Sequence, residues 1–134
     1  MEKGSLVISL DFELMWGCKE WASIEGYGQS NILQVPQVID GMLKLFAKYG
    51  VHATFATVGM IMHDDKHQAK AAQPQLQPSY INRIMSPYND DYIASIKDED
   101  YKLYYRPDIV RKLNESDNIE VGTHTYCHFF CWEK

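Results

Sequence analysis

Long apolar runs are missing from this chain. A stretch such as residues 6–10 falls far short of the roughly 18 apolar residues that a membrane-spanning helix needs, so no membrane partner is expected. The opening Met1-Glu2-Lys3-Gly4 lacks the basic start, apolar stretch and small-residue cleavage site of a secretory signal, which makes a cytoplasmic chain the expectation. Cysteine is scarce. Cys18, Cys127 and Cys131 are odd in number and too sparse for a disulfide framework, so reduced thiols are expected. Basic residues are few and scattered, 13 against 18 acidic ones for a net charge of −5. With no Lys/Arg stripe to neutralise phosphates, nucleic acid is not an expected partner. Repeats, low-complexity segments and acidic tails are also absent. What is present is 134 residues, 46% hydrophobic and 23% charged, close to the averages of soluble folded chains and of a size for one domain.

Local patterns divide that length. Residues 5–11 form an aliphatic, β-branched run after Gly4 and read as a strand, with the near-continuous apolar pattern of a parallel strand covered on both faces. Residues 12–31, carrying Gly17, Gly26 and Gly28, show no sustained periodicity and read as a long loop. Over residues 36–49, Val38, Ile39, Met42, Leu45, Phe46 and Tyr49 recur at three- and four-residue spacing, which predicts an amphipathic helix opened by Pro36 and closed by Gly50. A second strand follows at 51–58, completing a βαβ unit with parallel strands. Residues 60–106 read as an irregular insertion, with a helix near 60–72 and a short helix opening at Ser79. Pro107 then starts a helix that turns Ile109, Val110 and Leu113 inward, and a third strand follows at 119–123. The fold class read from this order is α/β, with functional residues expected at the carboxyl ends of the strands.

Those ends carry the chemistry. Asp11 and Glu13 stand two residues apart after the first strand, so both carboxylates share a side if the strand runs through them. After the third strand come Thr123, His124 and Thr125, with His128 four residues beyond His124; on a helical turn, that pair shares a face and holds a divalent ion. Two imidazoles and a carboxylate leave coordination positions open, the pattern of a catalytic rather than a structural site.

Three segments in order, Ser9-Leu10-Asp11-Phe12-Glu13-Leu14-Met15-Trp16-Gly17, Ala53-Thr54-Phe55-Ala56-Thr57-Val58-Gly59 and Glu120-Val121-Gly122-Thr123-His124-Thr125-Tyr126-Cys127-His128, resemble the polysaccharide deacetylase family, also called NodB-homology or carbohydrate esterase family four. The resemblance implies a distorted, incomplete (β/α) barrel. Chain 1–134 would be the N-terminal part of such a domain, with the insertion at about 60–106. It also implies hydrolysis of an N-acetyl group from an amino sugar of a glycan, a carbon–nitrogen bond outside peptides. Carried over residue by residue, Asp11 is the base; Glu13, His124 and His128 hold the metal, zinc, with cobalt or nickel as alternatives; the base and ligand roles of Asp11 and Glu13 are interchangeable. The family's Asp-Asp pair is here interrupted by Phe12, with Glu in the second place. The family's later general-acid His, and its later Arg and Trp, have no counterpart here. A truncated form is therefore expected, inactive by itself and prone to self-association along the open side of the barrel.

Other residues have competing readings. Trp16, Thr125 and Tyr126 are candidates for contacting a sugar, and Phe129, Phe130 and Trp132 could stack on one, although aromatics in a small domain are more often core. His63 and His67 form a second four-spaced pair, best read as a solvated helix face. Cys127 and Cys131 flank His128 and could make a thiolate site with it. Six tyrosines, at 80, 88, 92, 101, 104 and 105, are too many for a solvated insertion and point to packing on the domain or a partner. The rival functions are a metal- or glycan-binding fragment without turnover and a metal-free amidohydrolase of the same fold.

Overall fold

Strand pairing organises the chain. In the computed structural model, which describes residues 4–131, Ser9–Phe12 (β1), Ala53–Thr57 (β2) and Ile119–Thr123 (β3) form a parallel sheet in the order β1-β2-β3. Trp132 lies outside the described residues. The register sets Leu10 beside Phe55 and Phe55 beside Val121, then Asp11 beside Ala56 and Ala56 beside Gly122. Because side chains alternate along a strand, the first set shares one face of the sheet and the second set the other.

Only the first face is covered. Phe12, Ala53, Phe55 and Thr57 are buried there, and Leu10, Ile119 and Val121 pack against the same core. Ser9, Asp11 and Glu120 on the opposite face are exposed, with Thr54 Oγ1 donating to Glu120 Oε2 at 2.6 Å. The expectation that the first strand is covered on both faces therefore fails. Its apolar run also begins too early: pairing starts where β2 becomes available, at the Thr54 N–H bonded to the Ile8 carbonyl, and Leu6 and Val7 stay exposed.

The helix after β1, Val35–Tyr49 (α1), has Pro36 in its first turn, where a missing N–H costs nothing. Gly50 ends it at φ +63°, and the N–H groups of Gly50 and Val51 both return to the Phe46 carbonyl. Ile39 is buried and Met42 and Phe46 pack on the core. Val38, Leu45 and Tyr49, expected to point inward, are exposed, since the apolar stripe is wider than the surface that three strands offer. Pro107–Asn114 (α4, after two short helices in the insertion) buries Ile109, Val110 and Leu113 as its periodicity predicts.

The insertion departs most from expectation. The helix expected at 60–72 is split. Gly59–Met62 is a single 3-10 turn, and the helix proper, Lys66–Ala71 (α2), starts where the Asp65 carboxylate accepts the N–H groups of His67 and Gln68. No helix opens at Ser79; Asn82 caps the turn Arg83–Met85, and Asn89 caps Asp90–Ser95 (α3). The expected tyrosine packing is found for Tyr92, Tyr104 and Tyr105, whose rings surround Trp16 at centroid distances of 6.2, 5.4 and 5.8 Å. Among the described residues, no helix is long and apolar enough to cross a membrane. All three cysteines are free, with Cys18 and Cys127 buried and Cys131 exposed.

Candidate metal centre

The carboxyl ends of β1 and β3 meet in a cluster of three side chains. β1 ends at Phe12, and Glu13 leaves the extended conformation at φ −131°, ψ −15°. The strand thus stops short of Glu13, which opens the turn Leu14–Gly17, yet the Asp11 and Glu13 carboxylates both lie against the His124 ring. At β3, the His124 N–H donates to the Thr57 carbonyl at 2.9 Å, so the central strand fixes where the first imidazole begins. The next residues are not the helical turn that the four-residue spacing suggested. Thr125 and His128 have φ of +60° and +51°, a tight left-handed path that folds His128 back towards His124. Thr125 Oγ1 accepts the His128 N–H at 3.1 Å and ties that path together.

The outcome is compact. Glu13 Oε2 lies 3.3 Å from His124 Nε2 and 3.1 Å from His128 Nε2, and the two imidazole centroids are 5.0 Å apart. One donor atom from each of the three residues falls within 4.8 Å of the others. Ligand atoms around a tetrahedral zinc ion with bonds near 2.0–2.1 Å sit roughly 3.3 Å from one another, so the two Glu–His separations fit one small divalent ion. The N/N/O donor set is also of the right chemistry. All three side chains are partly buried, at 26–30% exposure, whereas Asp11 is 59% exposed with Oδ1 3.9 Å from His124 Nδ1. Asp11 thus lies nearer the other ring nitrogen of His124 and outside the group of three.

The remaining candidates fall elsewhere. Trp16, a candidate for sugar contact, is fully buried and its indole N–H donates to the Tyr104 carbonyl at 2.8 Å; enclosed by tyrosines, it has no face left for a ligand. Tyr126 turns away from the cluster, its hydroxyl donating to the Ala69 carbonyl at 2.7 Å and lying 3.0 Å from His63 Nε2. Burial pushes that phenol up to about 12. Thr125 is exposed beside the imidazoles, where its side chain holds the turn. Cys127 is buried and Cys131 exposed, and among the described residues neither joins a group of three potential ligands. Burial, reinforced by the nearby Glu13 and Glu20 carboxylates, raises the Cys18 thiol to about 11, so it remains protonated beside the cluster. His63 and His67 likewise form no group of ligands, and burial lowers the His63 imidazole below its usual value.

Sequence reasoning missed the supports. The N–H groups of Gly59 and Met60 donate to the Thr125 and Tyr126 carbonyls at 3.0 and 2.8 Å, fastening the histidine turn to the end of β2. A Cβ on Gly59 would stand 2.8 Å from Tyr126 Cδ2, too close for any side chain. Leu14, immediately after Glu13, is held at φ +48°. No protein-family model, curated protein or solved structure matches the chain.

Proposed function

We propose that this chain carries the metal-holding part of a hydrolase that removes N-acetyl groups from amino sugars of a glycan. The observation that carries the reading is the convergence of Glu13, His124 and His128 on one point at the carboxyl ends of two parallel strands. The acetamide substrate and the incomplete (β/α) barrel come from the resemblance of the three segments. Parallel order, helices on a single face and a small, polar second face bearing Asp11, Thr54, Ala56 and Glu120 support that barrel reading, with the exposed face turned to the barrel interior.

Glu13, His124 and His128 would hold zinc, or cobalt or nickel in its place. Such an ion supplies acidification of water towards neutrality and polarisation of a carbonyl oxygen. Asp11, the most exposed member of the group, takes the proton from the attacking water, and its neighbouring imidazole edge keeps it close to the cluster. Departure of the amine requires a proton from a general acid. Of the five histidines, His52 lies at the opposite end of the sheet beside Asn118, His63 is engaged with Tyr126, and His67 sits on α2. Among the described residues no further imidazole stands at the cluster, and a second reading of the same three ligands is metal or glycan binding without turnover.

Two measurements separate the readings. Purified protein should retain stoichiometric zinc after dialysis, and the His124→Ala variant should lose it; equal zinc in both would refute the metal site. Acetate release from N-acetylglucosamine oligomers, with zinc, cobalt and nickel each supplied, should exceed background if the chain is catalytic. Zinc retention with background acetate release would count against deacetylation of these oligomers and leave the metal site standing.

A further inference from the structure

Gly17 stands four residues after Glu13, at the end of the 3-10 turn Leu14–Gly17. Its backbone does not need glycine, because Gly50 is the one described glycine with positive φ. What requires glycine at position 17 is space. A Cβ there would fall within the van der Waals envelope of Glu13 Cγ, Cδ and Oε1. The Glu13 side chain therefore folds back over the bare Cα of Gly17, with one carboxylate oxygen against the glycine and the other, Oε2, directed at both imidazoles.

The turn beneath cannot yield. The Trp16 N–H donates to the Glu13 carbonyl at 3.0 Å, and the Trp16 ring is locked into the core by its bond to Tyr104 and by three tyrosine edges. The carboxylate is the mobile party. Any side chain at position 17 would be accommodated by driving Glu13 off the imidazoles, with the fold retained. We propose that Gly17 is a positioning residue for the metal centre, matched to the length of Glu13: the longer carboxylate is usable as a ligand because the glycine gives it a seat. This rests on the metal reading above.

The test is a double-mutant cycle on zinc affinity, measured by competition with a chromophoric chelator, together with the visible spectrum of the cobalt-loaded forms. Gly17→Ala should weaken zinc binding by about 10–100-fold, the range for residues that orient a metal ligand. It should also shift the cobalt bands, while the thermal midpoint of the metal-free protein moves by no more than about 3 °C. In the Glu13→Ala background the Cγ, Cδ and Oε1 atoms that a Cβ at position 17 would meet are gone, so the same Gly17→Ala change should cost less than about 3-fold. Wild-type affinity in Gly17→Ala, or an equal loss in both backgrounds, would overturn the inference while leaving the metal site standing. Unfolding of both Gly17→Ala forms would overturn it too, since backbone and not carboxylate would then need the glycine. Failure of the wild type to bind zinc would sink the metal reading itself.

Discussion

Trp16 gives the sharpest stability prediction, because its sequence position beside Glu13 suggests a sugar platform and its surroundings say core. The ring is fully buried. Truncating a buried Trp to Ala costs about 3–5 kcal/mol through lost transfer energy and the cavity left behind. The Tyr104 carbonyl, which accepts the indole N–H at 2.8 Å, would also lose its donor, a penalty of about 1–3 kcal/mol when no water replaces it. Against the 5–15 kcal/mol that holds a typical domain together, Trp16→Ala should remove much of the stability. Trp16→Phe separates the two contributions. It keeps much of the aromatic packing against Tyr92, Tyr104 and Tyr105 but deletes the N–H, and should cost about 1–3 kcal/mol. Urea titrations followed by far-ultraviolet circular dichroism measure both variants against the wild type. A Trp16→Ala loss below about 1 kcal/mol would refute the buried placement and return Trp16 to the surface.

Thr125→Gly should separate stability from binding. Glycine relieves the left-handed residue at φ +60° and forfeits the hydroxyl bond to the His128 N–H; these effects are about 1 kcal/mol each and opposite in sign, so the urea midpoint should barely move. Zinc affinity should nevertheless fall by about tenfold as the turn that aims His128 loosens, and unchanged affinity by calorimetric titration would count against that role. His63 supplies a pH prediction. Burial outweighs the opposing pull of Asp64 and Asp65 and lowers its folded pKa, so the unfolded chain binds the proton more readily. The contribution is fully present above the unfolded value of about 6.5 and lost as pH falls through the folded value. Wild-type stability relative to His63→Gln should accordingly decrease from pH 7.5 to 5.5, and an increase would contradict the half-buried imidazole.

Much of the framework is legible in the residues. Pro36 and Gly50 bracket α1 to within one position, Pro107 marks α4, and the three strands fall inside or beside their predicted spans. These are local signals, set by ring geometry, left-handed tolerance and β-branching. The site is legible because its four residues lie at strand ends, where a parallel sheet gathers distant segments. What sequence could not reveal depends on contacts between segments. The bare Leu6 and Val7, and the exposed Val38, Leu45 and Tyr49, show that an apolar pattern marks a face able to be buried, while the number of strands decides whether it is. The insertion defeated periodicity because its elements are at most six residues long, three of them started by Asp65, Asn82 and Asn89 caps. Its order comes from tyrosines closing on a tryptophan some 88 positions away along the chain. Gly17 was readable as a loop glycine; only the folded-back Glu13 carboxylate gives its absent side chain a purpose.

Carboxylates and imidazoles meet by chance on many surfaces, so proximity alone would be a weak reason to see a metal centre. Here the proximity is held against local preference. Leu14, Thr125 and His128, all adjacent to or within the cluster, occupy left-handed backbone at φ +48°, +60° and +51°, and they are the described non-glycine residues that do so. Each such conformation costs on the order of 1–3 kcal/mol and persists only where surrounding structure overdetermines it. That structure is identifiable: buried Trp16 beneath the Glu13 turn, and the Thr57, Gly59 and Met60 backbone bonds to the His124–Tyr126 segment. A surface coincidence has no reason to concentrate unfavourable backbone at the same three places. Concentrated there, it aims one carboxylate and two imidazoles at a common point, and the stability of the aromatic core is what keeps them aimed.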